Sequence, residues 1–100
     1  VVGLVRSMAL DYGAHGIRSN AICPSFVMTP MAKTIFDQAP AGTVAARMRE
    51  VPLGRFARPD EIAAVAAMLL GNAGSFINGA ALLVDGGATA GYYTPSGPSA

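Results

Sequence analysis

Four consecutive apolar residues, Ala81-Leu82-Leu83-Val84, are stopped by Asp85-Gly86-Gly87. A short apolar run without polar alternation is the pattern of a strand covered on both faces, as in parallel sheets flanked by helices. An amphipathic helix precedes it. Arg58-Pro59-Asp60-Glu61 puts Pro in a first helical turn and two carboxylates at the positive end of the helix dipole. Ile62, Val65, Ala66 and Leu69 then form a stripe to bury, Gly71 ends the helix, and Asn78-Gly79 marks a turn before the strand.

The same order occurs earlier in the chain. Val1, Val2, Leu4, Val5, Met8, Ala9 and Tyr12 recur at helical spacing and predict a helix with one buried face. Gly13 is expected to end it in the left-handed conformation, with Gly16 as a second turn signal. Residues 17–23 read as a short strand stopped by Pro24, which has no N–H for a ladder. Residues 25–54 are irregular, with a short helix at 31–37 entered through Pro30 and a second at 43–50. Helix, strand, long excursion, helix, strand implies an α/β fold with parallel strands joined by a crossover. Excursions of this length after a strand serve as lids or binding loops. Two strands do not make a stable sheet alone. The opening Val1-Val2-Gly3-Leu4-Val5 has neither an initiator Met nor a helix cap, so the chain is expected to be a fragment, incomplete as a sheet.

Seven basic and six acidic residues leave a formal charge of +1, with no basic cluster for nucleic acid or anionic lipid. No apolar run is long enough to span a bilayer. The single Cys23 cannot form an internal disulfide, and no Cys/His cluster offers a metal site. The expectations are therefore no membrane, no nucleic acid, no metal, and a reducing, cytoplasmic compartment.

Ligands of open α/β sheets bind beyond the C-terminal ends of strands, which points to residues 24–29. Their polar groups are backbone amides and the hydroxyls of Ser25 and Thr29; without an adjacent base these can orient a ligand but not abstract its proton. His15 reads as an exposed turn residue, Cys23 as a small strand residue, and Arg18 and Asn20 as residues that bond loops or backbone. Gly71-Asn72-Ala73-Gly74 follows a helix instead of preceding one, the wrong context for a phosphate loop. Asp85-Gly86-Gly87 reads as a strand-ending turn, and Arg55 and Arg58 as partners of Asp60, Glu61 or a neighbouring subunit.

Three collinear blocks carry a resemblance: Gly-Ile-Arg-Ser-Asn-Ala-Ile-Cys-Pro-Ser-Phe-Val-Met-Thr-Pro-Met (16–31), Pro-Leu-Gly-Arg-Phe-Ala-Arg-Pro-Asp-Glu-Ile-Ala (52–63) and Phe-Ile-Asn-Gly-Ala-Ala-Leu-Leu-Val-Asp-Gly-Gly (76–87). Together they resemble the C-terminal half of the short-chain dehydrogenase/reductase family. The resemblance implies the C-terminal part of a Rossmann-like, doubly wound parallel sheet over residues 1–90, with a substrate lid at 30–54 and a flexible tail at 91–100. It implies NAD or NADP as cofactor, with NAD slightly favoured; the residue that discriminates between them follows the second strand of the complete domain, outside the matched blocks. Pro24, Ser25, Val27 and Thr29 match the family's nicotinamide-binding segment; relatives usually carry Gly where Ser25 adds a Cβ. Met31, Ile35, Phe36 and Met48, with Met28, would make an apolar lid for a small apolar or alicyclic alcohol or ketone. The family's Gly-rich loop and catalytic Ser, Tyr and Lys match nothing here. Lys33 is the only lysine and lies at no i+4 spacing from Tyr12, Tyr92 or Tyr93. The implied activity is interconversion of a secondary alcohol and a ketone by a complete protein, a homo-oligomer and by family habit a tetramer, with this chain inactive alone. The alternative is a non-catalytic truncated module that pairs with full-length relatives through residues 62–70 and 82–84.

Overall fold

A computed structural model describes residues 1–92. Of the tail expected at 91–100, residues 93–100 lie outside the described residues. The elements run α1 (Val2–Tyr12), β1 (Ala21–Pro24), α2 (Pro30–Asp37), α3 (Thr43–Arg49), α4 (Pro59–Leu70) and β2 (Ala81–Val84), with 3-10 turns at Gly13–His15 and Asn72–Gly74. The strands are neighbours in a two-stranded sheet. As the chain advances from Ser19, whose carbonyl accepts from Gly79 N–H at 2.8 Å, to Ala21, whose N–H donates to Ala80 at 2.8 Å, its partner advances too. The pair is therefore parallel. The chain divides into two compact units, one of Val1–Cys23 with Asp60–Leu83 and one of Pro24–Pro59 with the chain from Val84.

In the first unit, side chains do much of the joining. Arg18 donates through Nη1 to the carbonyls of Leu69 and Gly74, each at 2.7 Å. These carbonyls belong to the last turn of α4 and the 3-10 turn after it, where backbone acceptors lack helical partners. Asn20 works as a third piece of backbone: Nδ2 donates to Ile77 and Oδ1 accepts from Ala80 N–H, both at 2.9 Å. Asn78 accepts from Ser19 N–H at 2.9 Å and donates to the Ala9 carbonyl of α1 at 3.3 Å. The next residue, Gly79, has φ +75°, and a Cβ there would stand 3.3 Å from that of Ala9. The turn at 78–79 is thus where α1 is held.

Four expectations are corrected. Gly13 is right-handed, with φ −57°, because α1 tightens into a 3-10 turn before ending. The left-handed residue is Gly16, with φ 75°, closed by bonds from Gly16 N–H to Gly13 and from Ile17 N–H to Tyr12. Residues 17–20 lie outside β1, since Arg18 and Asn20 tie them down by side chain, and Pro24 is the strand's last residue, where a missing N–H costs nothing. The predicted apolar face of α1 divides: Val2, Val5 and Ala9 turn inward, while Leu4, Met8 and Tyr12 are exposed. Leu83 of β2 is 61% exposed, so the strand is not covered on both faces. Alternation puts it on the face opposite Leu82 and Val84. The stripe of α4 stands as read, with Leu69 buried, Ile62, Val65 and Ala66 half-buried, and Ala63, Ala64 and Ala67 outside.

Candidate functional site

The second unit contains all eight residues singled out for cofactor and lid. Thr29 has the extended conformation of a helix N-cap, φ −94° and ψ 165°, and its Oγ1 accepts from Ala32 N–H at 3.1 Å. Pro30, with its ring-fixed φ, opens α2. The hydroxyl therefore spends one lone pair on the helix and keeps its proton to donate.

Residues 26–28 are fixed by a parallel bridge between Val27 and Ala57. Ala57 N–H donates to Phe26 and Met28 N–H donates to Ala57, both at 2.9 Å. Ala57 makes both bonds of this bridge, so the N–H of Val27 points away from the partner segment. Among the described residues the Val27 N–H has no acceptor, while the Val27 carbonyl accepts from Thr29 N–H at 3.0 Å and retains a second lone pair. An amide N–H, a carbonyl lone pair and a hydroxyl proton thus lie within three residues. This donor and acceptor set suits a planar primary carboxamide, which presents both a carbonyl and an NH2. Pro24 and Ser25 lead into it, Pro24 exposed and Ser25 half-buried.

The residues expected to form a lid separate into two groups. Met31 and Ile35, one helical turn apart on α2, are 73% and 59% exposed and present an apolar edge. Phe36 instead turns inward and stacks on Phe56, with ring centroids 5.4 Å apart and planes 15° from parallel. Phe56 is only 6% exposed and also meets Phe26 at 5.5 Å and 52°. Met48 is half-buried on α3. From α3 the guanidinium of Arg47 lies over the Phe26 ring, 5.9 Å from its centroid, while pairing with Glu50 at 3.5 Å.

Phe26, Arg47 and Phe56 are the residues that sequence reading missed. Their signal was weak: two phenylalanines far apart in the sequence and an arginine on a short helix, with no period to join them. Lys33 Nζ pairs with Asp37 at 3.1 Å on the exposed face of α2. Asp85 stands apart from this chemistry. Its carboxylate takes the Thr89 hydroxyl at 2.6 Å, Gly87 N–H at 3.0 Å and Thr89 N–H at 3.2 Å. The Thr89 hydroxyl first, then the Gly87 amide, hold its pKa below the ordinary 3.8 against a smaller opposing desolvation. Among the described residues no His/Cys/Asp/Glu group could hold a metal ion, and no helix is long and apolar enough to cross a membrane.

A family model described as enoyl-(acyl carrier protein) reductase matches residues 1–89. The chain is 48% identical over 91 residues to meso-2,3-butanediol dehydrogenase of Serratia marcescens, covering 90% of this chain and 34% of that enzyme. It superposes on 4-hydroxyisoleucine dehydrogenase complexed with NADH, with a TM-score of 0.80 and 27% identity over 91% of this chain and 37% of that one. It also superposes on a provisionally named 2-deoxy-D-gluconate 3-dehydrogenase of Agrobacterium tumefaciens with bound NADP. There the TM-score is 0.81 and the identity 32%, over 89% of this chain and 35% of that one. The chain spans about a third of the length of the curated relatives it matches. The common architecture is Rossmann-like, with helices beside a parallel sheet of which this chain holds a part. The chain belongs to the short-chain dehydrogenase/reductase family.

Proposed function

We propose that this chain is the nicotinamide-binding and lid portion of an NAD(P)-dependent oxidoreductase that interconverts a small secondary alcohol or diol and the corresponding ketone. The observation that carries the reading is the pairing of an uncommitted Val27 N–H with the Thr29 hydroxyl, whose remaining proton is free to donate once Oγ1 has capped α2. Those two groups and the Val27 carbonyl would hold the carboxamide, with Pro24 and Ser25 lining its approach. Bound there, the nicotinamide supplies hydride transfer. The residues of this chain orient it and, through the apolar edge of Met31 and Ile35 with Phe36 and Met48 behind, keep water from the reacting carbon. Proton transfer is assigned to residues outside this chain. Ser25 and Thr29 are alcohols with no base bonded to them, and Lys33 is engaged with Asp37.

A diol or other small secondary alcohol is favoured by the similarity to meso-2,3-butanediol dehydrogenase and by the apolar edge of α2. Both nicotinamide cofactors occur among the structural relatives, and NAD is taken as the slightly preferred one. Residues 1–90 are read as part of one cofactor-binding domain, with 30–54 as its lid. The compartment is read as cytoplasmic, in keeping with a lone, half-buried Cys23. A homotetramer is read from the family resemblance; the exposed Leu70, Phe76 and Leu83 are apolar surface that the rest of the domain or a second subunit would cover. The test is to assay the full-length protein carrying this chain with NAD+ and NADP+ and a panel of secondary alcohols and vicinal diols. The reading expects nucleotide reduction by the full-length protein and none by the 100-residue chain. A full-length protein that neither binds nor reduces either nucleotide overturns it.

A further inference from the structure

Phe26 lies between Ser25 and Val27, two residues assigned above to the cofactor, yet every ring contact it makes is with the excursion that follows. Its ring meets Phe56, which in turn stacks on Phe36 of α2, and it carries the Arg47 guanidinium of α3. Its carbonyl accepts from Ala57 N–H. One side chain therefore touches, directly or through a single ring, both lid helices and the segment leading to α4. An extended segment sends successive side chains to opposite sides. Gripping Phe26 from the lid thus fixes the orientation of the backbone on either side of it, including the Val27 N–H.

We infer that Phe26 is a positioning residue, clamped by Arg47 and Phe56, that makes the cofactor segment and the lid move as one body. The inference rests on the cofactor reading above. Arg47 acts on the site only through the Phe26 ring, so removing it has no further effect once the ring is gone. The cation over the ring and the tilted aromatic pair are each interactions of modest strength, and their loss is expected to alter binding by small, measurable factors.

The test is a double-mutant cycle in the full-length protein, reading the Kd of NADH and of NADPH by fluorescence titration. Hydrogen exchange at the amides of residues 25–29 is read alongside. Phe26→Leu is expected to raise the Kd of the tighter-binding nucleotide about threefold to tenfold. Arg47→Gln is expected to raise it about twofold to fivefold, and the double variant no further than Phe26→Leu alone. Phe26→Tyr should recover most of the loss. Glu50→Gln, which leaves Arg47 over the ring, should change Kd less than about twofold. Exchange at Met28, whose N–H is bonded to the Ala57 carbonyl, should quicken in both single variants before any nucleotide is added. Effects of Phe26→Leu and Arg47→Gln that multiply, or an Arg47→Gln protein with unaltered Kd, overturn the clamp. So does a lowered melting temperature with unaltered Kd, which is the mark of a purely structural ring. A wild-type protein that binds neither nucleotide overturns the cofactor reading itself, and that outcome is visible before any variant is made.

Discussion

Replacing Arg18 by Met keeps an apolar stem and deletes a charge-assisted tie between the segment entering β1 and the C-terminal end of α4. Two contacts are short, to Leu69 and Gly74 at 2.7 Å, while the third, to Ile77 at 3.5 Å, is too long to count. Hydrogen bonds from charged donors contribute about 1.5–3 kcal/mol each. The two share one nitrogen on a part-buried side chain, and the freed carbonyls regain some water, so the sum is discounted to about 2–4 kcal/mol. The assay is urea unfolding of the full-length protein. With a slope of about 2 kcal/mol/M, the midpoint should fall by about 1–2 M at unchanged slope. Arg18→Lys should recover part of this, because an ammonium keeps the charge but not the planar fork. A shift below about 0.3 M for Arg18→Met would refute the reasoning and show these contacts to be incidental.

Gly74→Ala is expected to cost about 1–3 kcal/mol, read as an unfolding midpoint, because its Cβ would stand 2.7 Å from the Met68 carbonyl oxygen and 2.8 Å from Leu69 Cα, both backbone atoms that cannot step aside. Gly86→Ala combines a left-handed φ of +63° with a Cβ 2.7 Å from Val51 Cγ1. It should lower the melting temperature more than Gly91→Ala, where nothing lies within 4 Å of the added carbon. Asp85 titrates below 3.8 in the folded chain, so the unfolded chain takes the proton first on acidification. Its stabilising contribution is complete above the unfolded value and disappears as pH falls through the lower, folded one. An NMR titration of the carboxyl should show a value below 3.8 that moves back toward it in Thr89→Val, and no movement would contradict the Thr89 assignment.

Elements with local causes were legible in the sequence. Pro59 with Asp60 and Glu61 opened α4, Thr29 and Pro30 opened α2, and an apolar run made β2, each from chemistry within a few residues. The misplacements arose where distant groups decided. Residues 17–20 have strand-like composition, yet the bonds of Arg18 and Asn20 to residues 69–80 hold them, and nothing local announces partners more than fifty positions away. The left-handed turn moved from Gly13 to Gly16 because either glycine can end a helix and only the extra 3-10 turn chooses between them. The place of Thr29 at the start of α2 was readable because capping is a property of one residue and its near neighbours. The Phe26–Phe36–Phe56 cluster was not, since its members come from three segments with no common period.

The central claim is that residues 24–29 hold the nicotinamide end of the cofactor, and Thr29 tests it most directly. The measurement is the Kd of NADH and NADPH for full-length protein carrying Thr29→Val beside Thr29→Ser. Valine has nearly the same shape but neither the proton for the carboxamide nor the lone pair for Ala32 N–H, whereas serine retains both. The account predicts a Kd raised about fivefold to tenfold for valine and within about twofold of wild type for serine. Equal affinities for the valine variant and the wild type would contradict it.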